Sequence, residues 1–179
     1  TGLAPKKSDK PTLGWIGSPS TWQYCKPYAP LLAEYVAEQK LSVLVIGANH
    51  AADLSMPFEY RNWEERREIA DIQAMDIGIM PIPDAPWARG KCGYKLIQYM
   101  ACGLPVIASP VGVNSEIVQH GVNGFLVETE DEWRTAIAHL ASDSGLRKRM
   151  GEAGRKAAEE RYSIQRYGPE MARLIHCLF

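Results

Sequence analysis

The chain is short of the features that mark several large protein classes. Its four cysteines, Cys25, Cys92, Cys102 and Cys177, are widely spaced and include no C-x-x-C pair. That excludes a thiolate zinc site and a disulfide framework, and reduced thiols in a cytosolic setting are the expectation. No run of about 18 apolar residues occurs, so no segment is predicted to span a membrane. The opening TGLAPKKSDKP has neither the apolar region nor the cleavage pattern of a signal peptide. A net charge of -1 and a pI near 6.4 give no general pull on nucleic acid, so anion binding must be local. No acidic cluster stands in Trp15 to Thr21, after the first predicted strand, where a phospho-acceptor receiver domain needs one. Gly14-x-x-Gly17-Ser-Pro does not supply the G-x-G-x-x-G of a dinucleotide-dependent dehydrogenase.

What the chain does have is apolar content. With 46% hydrophobic residues among 179, it can enclose one substantial core. Residues 1–11 are polar, basic and proline-punctuated and are expected to be a linker, with ordered structure from Thr12 to Phe179. Leu13 to Ile16 reads as a strand ending in the turn GSPST. Tyr28, Leu31, Leu32, Tyr35 and Val36 then recur on one helical face. LSVLVI (Leu41 to Ile46) is the nearly continuous run of a strand buried on both faces. Met56 to Arg61 and Asp76 to Met80 read as further strands, with a helix between them opened by a capping box of Asn62 and Glu65. Pro81, Pro83 and Pro86 predict a rigid, helix-free loop. Strands follow at Pro105 to Ser109 and Gly124 to Val127, and a brief helix at Ser115 to His120 lies between them. Thr129 with Glu132 forms a second capping box, and another helix runs from about Ser144 to Arg161. Ser163 can cap a terminal helix, whereas Pro169 would interrupt it or start a later one. Strand and helix alternate throughout. The predicted fold is therefore α/β, a Rossmann-like parallel sheet with helices on both faces. Right-handed crossovers place the loops after each strand on one edge, where such sheets bind ligands.

One stretch on that edge, Gly90 to Ser109 (GKCGYKLIQYMACGLPVIAS), combines a basic glycine turn, a short helix and a buried strand. Leu96, Ile97, Met100 and Ala101 recur at helical spacing, with Lys95 and Gln98 on another edge. Gly93 removes side-chain bulk where the helix begins, leaving room for a ligand at the free backbone N–H groups, and Lys91 and Lys95 add positive charge. This is the pattern of a phosphate site, and also of a surface helix with two solvated lysines. Other candidates carry less. His50 ends a strand, and His120, His139 and His176 lie in or beside helices. Asp84 is a turn residue near the cleft, and Cys92 has no paired His that would make it a nucleophile. The five tryptophans are expected to pack, with Trp87 the best placed to line a pocket.

GKCGYKLIQYMACGLPVIASPVGVNSEIVQHGVNGFLV, Gly90 to Val127, closely resembles the C-terminal, nucleotide-sugar-binding domain of retaining glycosyltransferases of the GT-B architecture, glycosyltransferase family 4 group. The resemblance extends from the Gly14-Trp-Ile-Gly17 strand through the terminal helix. In that family a stretch E-G-F-G-x-x-x-L-E-A-M-A-x-G-x-P-V-I forms the donor site. Its second Glu, which binds the ribose, matches Gln98, an amide that can still bond a hydroxyl. Its turn, which gives backbone N–H groups to sugar and diphosphate, matches Lys91, Cys92, Gly93 and Tyr94. Its first Glu, which touches the sugar, matches Gly90. The strand-one loop, often basic in the family, is here hydroxyl-rich and uncharged, with Gly17 and Ser18 at the donor. Glu116 matches the Glu of S-x-x-G-G-x-x-E-I, as donor-site support or as an ordinary first-turn carboxylate.

The resemblance implies a nucleotide-diphosphate sugar as donor substrate, no tightly bound cofactor, no metal and no nucleic-acid partner. Lys91 and Lys95 would stabilise the departing diphosphate. The acceptor would be held mainly by an N-terminal domain outside this chain, so the isolated domain should not catalyse transfer. A cytoplasmic parent, peripheral to a membrane in its full-length form, fits the family. The alternative is a non-catalytic nucleotide-binding or interaction module of the same fold.

Overall fold

The computed structural model describes residues 10–48 and 56–177. His50 and nearly all of the expected linker lie outside the described residues. Six strands run through it: β1 (Thr12–Ile16), β2 (Ser42–Ile46), β3 (Glu59–Arg61), β4 (Ile77–Met80), β5 (Val106–Ala108) and β6 (Gly124–Leu126). The helices are α1 (Pro19–Trp22), α2 (Ala29–Ala37), α3 (Glu68–Gln73), α4 (Pro86–Arg89), α5 (Tyr94–Ala101), α6 (Asn114–Ile117), α7 (Glu130–Ser142), α8 (Ser144–Tyr162) and α9 (Ile164–His176). All strand pairs are parallel. The order is β3-β2-β1-β4-β5-β6, so the chain's winding direction reverses between β1 and β4.

Strand alternation distributes the core over the two faces. Leu13, Trp15, Val43, Val45, Ile77, Ile79 and Ile107 point into one cluster with α2 and α7. Ile16, Leu44, Ile46, Met80, Val106 and Ala108 point into the other, with α5 and the buried parts of α3 and α8. This period of two with both sides apolar is what a sheet covered twice requires. Each fully buried Leu or Ile contributes roughly 1.5–3 kcal/mol.

Local chemistry explains where the expected elements shift. Thr129 and Glu132 form the complete capping box of α7. Asn62 and Glu65 do not: a 3-10 turn at Glu65–Arg67 follows Glu64, without a side-chain cap bond, and α3 starts only at Glu68. There Arg61 and Arg67 reach the buried Asp71 carboxylate at 2.8 and 3.4 Å. The proline loop contains α4, because Pro86 sits at a first helical position where its missing N–H is not needed. Pro19 opens α1 in the same way, inside the segment read as a turn. The brief helix starts one residue early, at Asn114, and ends at Ile117. Ser163 caps α9, which continues through Pro169. The carbonyl of Gln165, deprived of its partner there, belongs to an exposed residue open to water.

Candidate functional site

At the reversal between β1 and β4 the ladder is short, with Leu13 opposite Ile77 and Gly14 opposite Gly78. Those two register partners lack side chains for a reason. A Cβ on Gly78 would overlap the Tyr99 ring, and one on Gly14 would overlap Met75. Into that trough α5 delivers Tyr99. Its hydroxyl accepts from the Ile16 N–H at 3.0 Å and donates to the Ile79 carbonyl at 3.5 Å. Burial pushes the phenol's pKa up, so it stays protonated and able to donate. Tyr99 thus satisfies backbone groups of two neighbouring strands, and the crevice opens over the carboxyl end of β1.

A cavity of about 420 Å³ occupies this crevice. Ile16, Gly17, Ser18 and Pro19 form one wall, Gly47, Trp63 and Glu68 another, and Tyr94, Lys95 and Gln98 of α5 the third. Gly17 leaves space for Lys95: a Cβ there would stand 2.7 Å from the ammonium. The Lys95 Nζ lies 4.9 Å from the centre of the Trp15 ring. Its pKa is lowered to about 8, chiefly by burial, and the Lys91 charge acts in the same direction. Lys91 projects over two rings, 4.2 Å from the centre of Trp87 and 4.9 Å from that of Tyr24, and burial lowers its pKa as well. Neither ammonium has an acidic partner among the described residues.

Of the residues expected at the site, Gly17, Ser18, Tyr94, Lys95 and Gln98 meet on the cavity wall. Ser18 shares its hydroxyl with Ser20 at 3.0 Å and Thr21 at 3.3 Å. Lys91 lies off that wall, held over the Trp87 and Tyr24 rings. Cys92 is exposed at the turn. Gly93 adopts a left-handed φ of 66° as the N-cap of α5. The space its missing Cβ leaves is taken by Ile117 of α6, not held open for a ligand. The N–H groups of the first turn of α5 lack intrahelical acceptors by position. Glu116 is exposed on the four-residue α6 and is not on the cavity wall. Nor do all the tryptophans pack. Trp15, Trp22 and Trp133 are buried, whereas Trp63 and Trp87 are 50% and 64% exposed.

Three residues of the site escaped the sequence reading. Trp63 and Glu68 join at the cavity through a 3.0 Å bond from the indole N–H to the carboxylate. An aromatic two residues beyond a strand end on the ligand edge was the available signal. Tyr99 carried none, because its role depends on a glycine of β4 and on backbone groups of β1 and β4.

Residues 11–143 match the family model described as glycosyl transferases group 1. The D-inositol 3-phosphate glycosyltransferase of Kribbella flavida is 30% identical over 134 residues, 67% of this chain and 31% of that protein. The N-acetyl-alpha-D-glucosaminyl L-malate synthase of Bacillus anthracis is 36% identical over 76 residues, 41% of this chain and 20% of that protein. The matches therefore span about a third or less of these relatives' length. Among solved structures, HepE from Anabaena in complex with UDP and glucose aligns with a TM-score of 0.72 at 17% identity, over 92% of this chain and 48% of that one. The C-terminal domain of a glycosyl transferase group 1 protein from Francisella tularensis aligns with a TM-score of 0.62 at 20% identity, over 86% and 87%. The matched residues include β1, the crevice and the whole of α5. The chain belongs to the group 1 glycosyltransferases and has the fold of their C-terminal GT-B domain.

Proposed function

We propose that the chain binds the nucleotide-diphosphate sugar donor of a retaining glycosyltransferase. The observation that carries this reading is the Lys95 ammonium, on the wall of the crevice that also holds Gln98 and without an acidic partner among the described residues, with Lys91, likewise without one, four residues before it in the segment that leads into α5. Two neighbouring cations that lack carboxylates suit a polyanion. The diphosphate lies on Lys95 and the first turn of α5, where Cys92, Gly93 and Tyr94 contribute backbone N–H groups. Gln98 bonds the ribose. Gly17 and Ser18 border the phosphates, Trp63 offers a ring face to the base, and Glu116 supports the turn from α6.

When the bond from the anomeric carbon to the diphosphate breaks, negative charge grows on the leaving group. Fixed ammonium and N–H donors then bind it more strongly than in the ground state, an effect worth about 2.7–4 kcal/mol per donor in comparable sites. The acceptor is bound by a further domain of the parent protein. This chain alone therefore binds donor without turning it over. In this reading the parent is cytoplasmic and meets its acceptor at a membrane surface; among the described residues no helix is long and apolar enough to cross a membrane.

Calorimetry with UDP, GDP and ADP tests the binding step. At least one should give saturable heat with the isolated chain, and Lys95→Ala should remove most of it. If no diphosphate binds, the fold is used as an interaction module instead.

A further inference from the structure

The order of groups along the crevice carries a further inference, which rests on the donor reading above. A nucleotide sugar is a linear molecule of base, ribose, two phosphates and glycosyl ring. Gly47 and Trp63 follow β2 and β3, Gly17 and Lys95 meet at the end of β1, and β4 lies on the other side of β1. With the nucleoside over β2 and β3 and the phosphates over β1, the glycosyl ring leaves toward β4.

On that side stand Tyr24, from the segment after α1, and Trp87 and Lys91, from the segment after β4. The two rings lie 6.2 Å apart, tilted by 44°. Trp87 is 64% exposed and belongs to neither core cluster. Packing therefore does not account for a large ring at this place. Lys91, half-buried, rests across both rings, and its contact with the exposed Trp87 face is one that a ligand can exchange. Hexopyranoses present an apolar C–H face and a rim of hydroxyls, and the exposed Trp87 ring with an adjacent ammonium matches both, while Tyr24, half-buried against the second core cluster, backs that ring. Gly90 has no side chain with which to bond a sugar hydroxyl.

We propose that Tyr24 and Trp87 form the glycosyl subsite of the donor pocket: the sugar's apolar face stacks on the Trp87 ring, and Lys91, displaced from that ring, donates to its hydroxyls. Trp87 is then a determinant of sugar binding rather than of nucleotide binding.

The test uses this chain with UDP, GDP and ADP, followed by the glucose and N-acetylglucosamine conjugates of the diphosphate that binds. For at least one conjugate, Trp87→Ala should lower the ratio of conjugate affinity to diphosphate affinity by about three- to tenfold, the range of one aromatic contact. Trp87→Phe should restore most of it. Saturation-transfer NMR should show the sugar C–H protons receiving magnetisation in the wild type and losing it in Trp87→Ala. Equal losses for conjugate and diphosphate would mean that the cluster merely clasps two loops together, and an unchanged ratio for both conjugates would mean that the sugar lies elsewhere. Either result overturns the subsite while leaving the donor reading standing, since a diphosphate still binds the wild-type chain. Failure of every diphosphate to bind overturns the donor reading and the subsite with it.

Discussion

Two hollows open on the carboxyl edge of the sheet, built from the same kind of strand-end loop, and they differ in what their polar groups are already doing. In the crevice over β1, Lys95 and its neighbour Lys91 have no acidic partner among the described residues. In the second hollow, about 270 Å³ lined by Tyr28, Ile82, Asp84, Ser109, Val111 and Glu128 among others, the donors are engaged. Ser109 accepts the Ile82 N–H at 3.1 Å, and Arg89 grips both Asp84 oxygens at 2.5 and 2.8 Å. The Arg89 bond holds the Asp84 carboxyl below its ordinary range. Position on the ligand edge is common to both, so position alone does not make an anion site. The difference lies in cations left without carboxylates on one side and carboxylates without spare cations on the other.

The largest effect should come from the buried residue of α5 that ties β1 to β4 beneath the first hollow. Tyr99 is fully buried against the strand-borne Gly78 and bonds both β1 and β4. Tyr99→Ala should cost about 3–5 kcal/mol, as expected for deleting a buried aromatic ring. Tyr99→Phe should cost about 1–3 kcal/mol, because the buried Ile16 N–H loses its acceptor. Urea unfolding measures both, and a phenylalanine variant as stable as the wild type would show that the hydroxyl does not matter to the strand separation.

Lys95→Met comes next. Charge-assisted bonds are worth about 1.5–3 kcal/mol, so diphosphate affinity should fall about 10- to 100-fold. The variant should fold at least as stably, since a partly buried charge without an acidic partner has been removed. Unchanged affinity by calorimetry would move the anion site away from α5.

The same lysine gives a pH test whose sign follows from its lowered pKa of about 8. A diphosphate favours the charged amine, so binding raises that pKa. Affinity should be greatest below about pH 8 and fall as pH rises above it, by at most about tenfold per unit for this one group. Lys95→Arg keeps its charge across this range and should flatten the decline. A decline that survives the arginine variant would have to come from Lys91 or from another group.

The contrast also shows which parts were legible in the sequence. LSVLVI announced a doubly covered strand, and Thr129 with Glu132 announced the start of α7, because both signals are local and complete within a few residues. Gly17, Ser18, Tyr94, Lys95 and Gln98 were legible as an edge cluster, since a parallel sheet sends every strand-end loop to one side. Asn62 and Glu65 had capping-box spacing without the geometry, because the chain there closes a 3-10 turn after Glu64. Gly93 read as an opening for a ligand and is filled by Ile117. That contact joins elements more than 20 residues apart, which no local pattern records. Gly14 and Gly78 were visible as glycines within strands, a mark of close approach, but the partners that fill them, Met75 and Tyr99, are set by register and helix placement.

The smallest effect should come from the second hollow, and it is the one that best isolates the comparison. Asp84→Asn breaks the fork with Arg89 and removes one of the carboxylates near the ligand edge. Both partners are 60% exposed, so water and salt screen the change and the fold should tolerate it. The freed guanidinium would lie nearer to the Lys91 side of the crevice than to its far wall, since Asp84, Arg89 and Lys91 share the segment between β4 and α5. Diphosphate affinity should therefore change by less than about twofold at physiological ionic strength, toward tighter binding, with the gain disappearing in high salt. Titration at two salt concentrations reads both the size and the sign. A loss of tenfold or more would mean that the diphosphate depends on the Asp84 side after all, and that the free cations over β1 are not what distinguishes the two hollows.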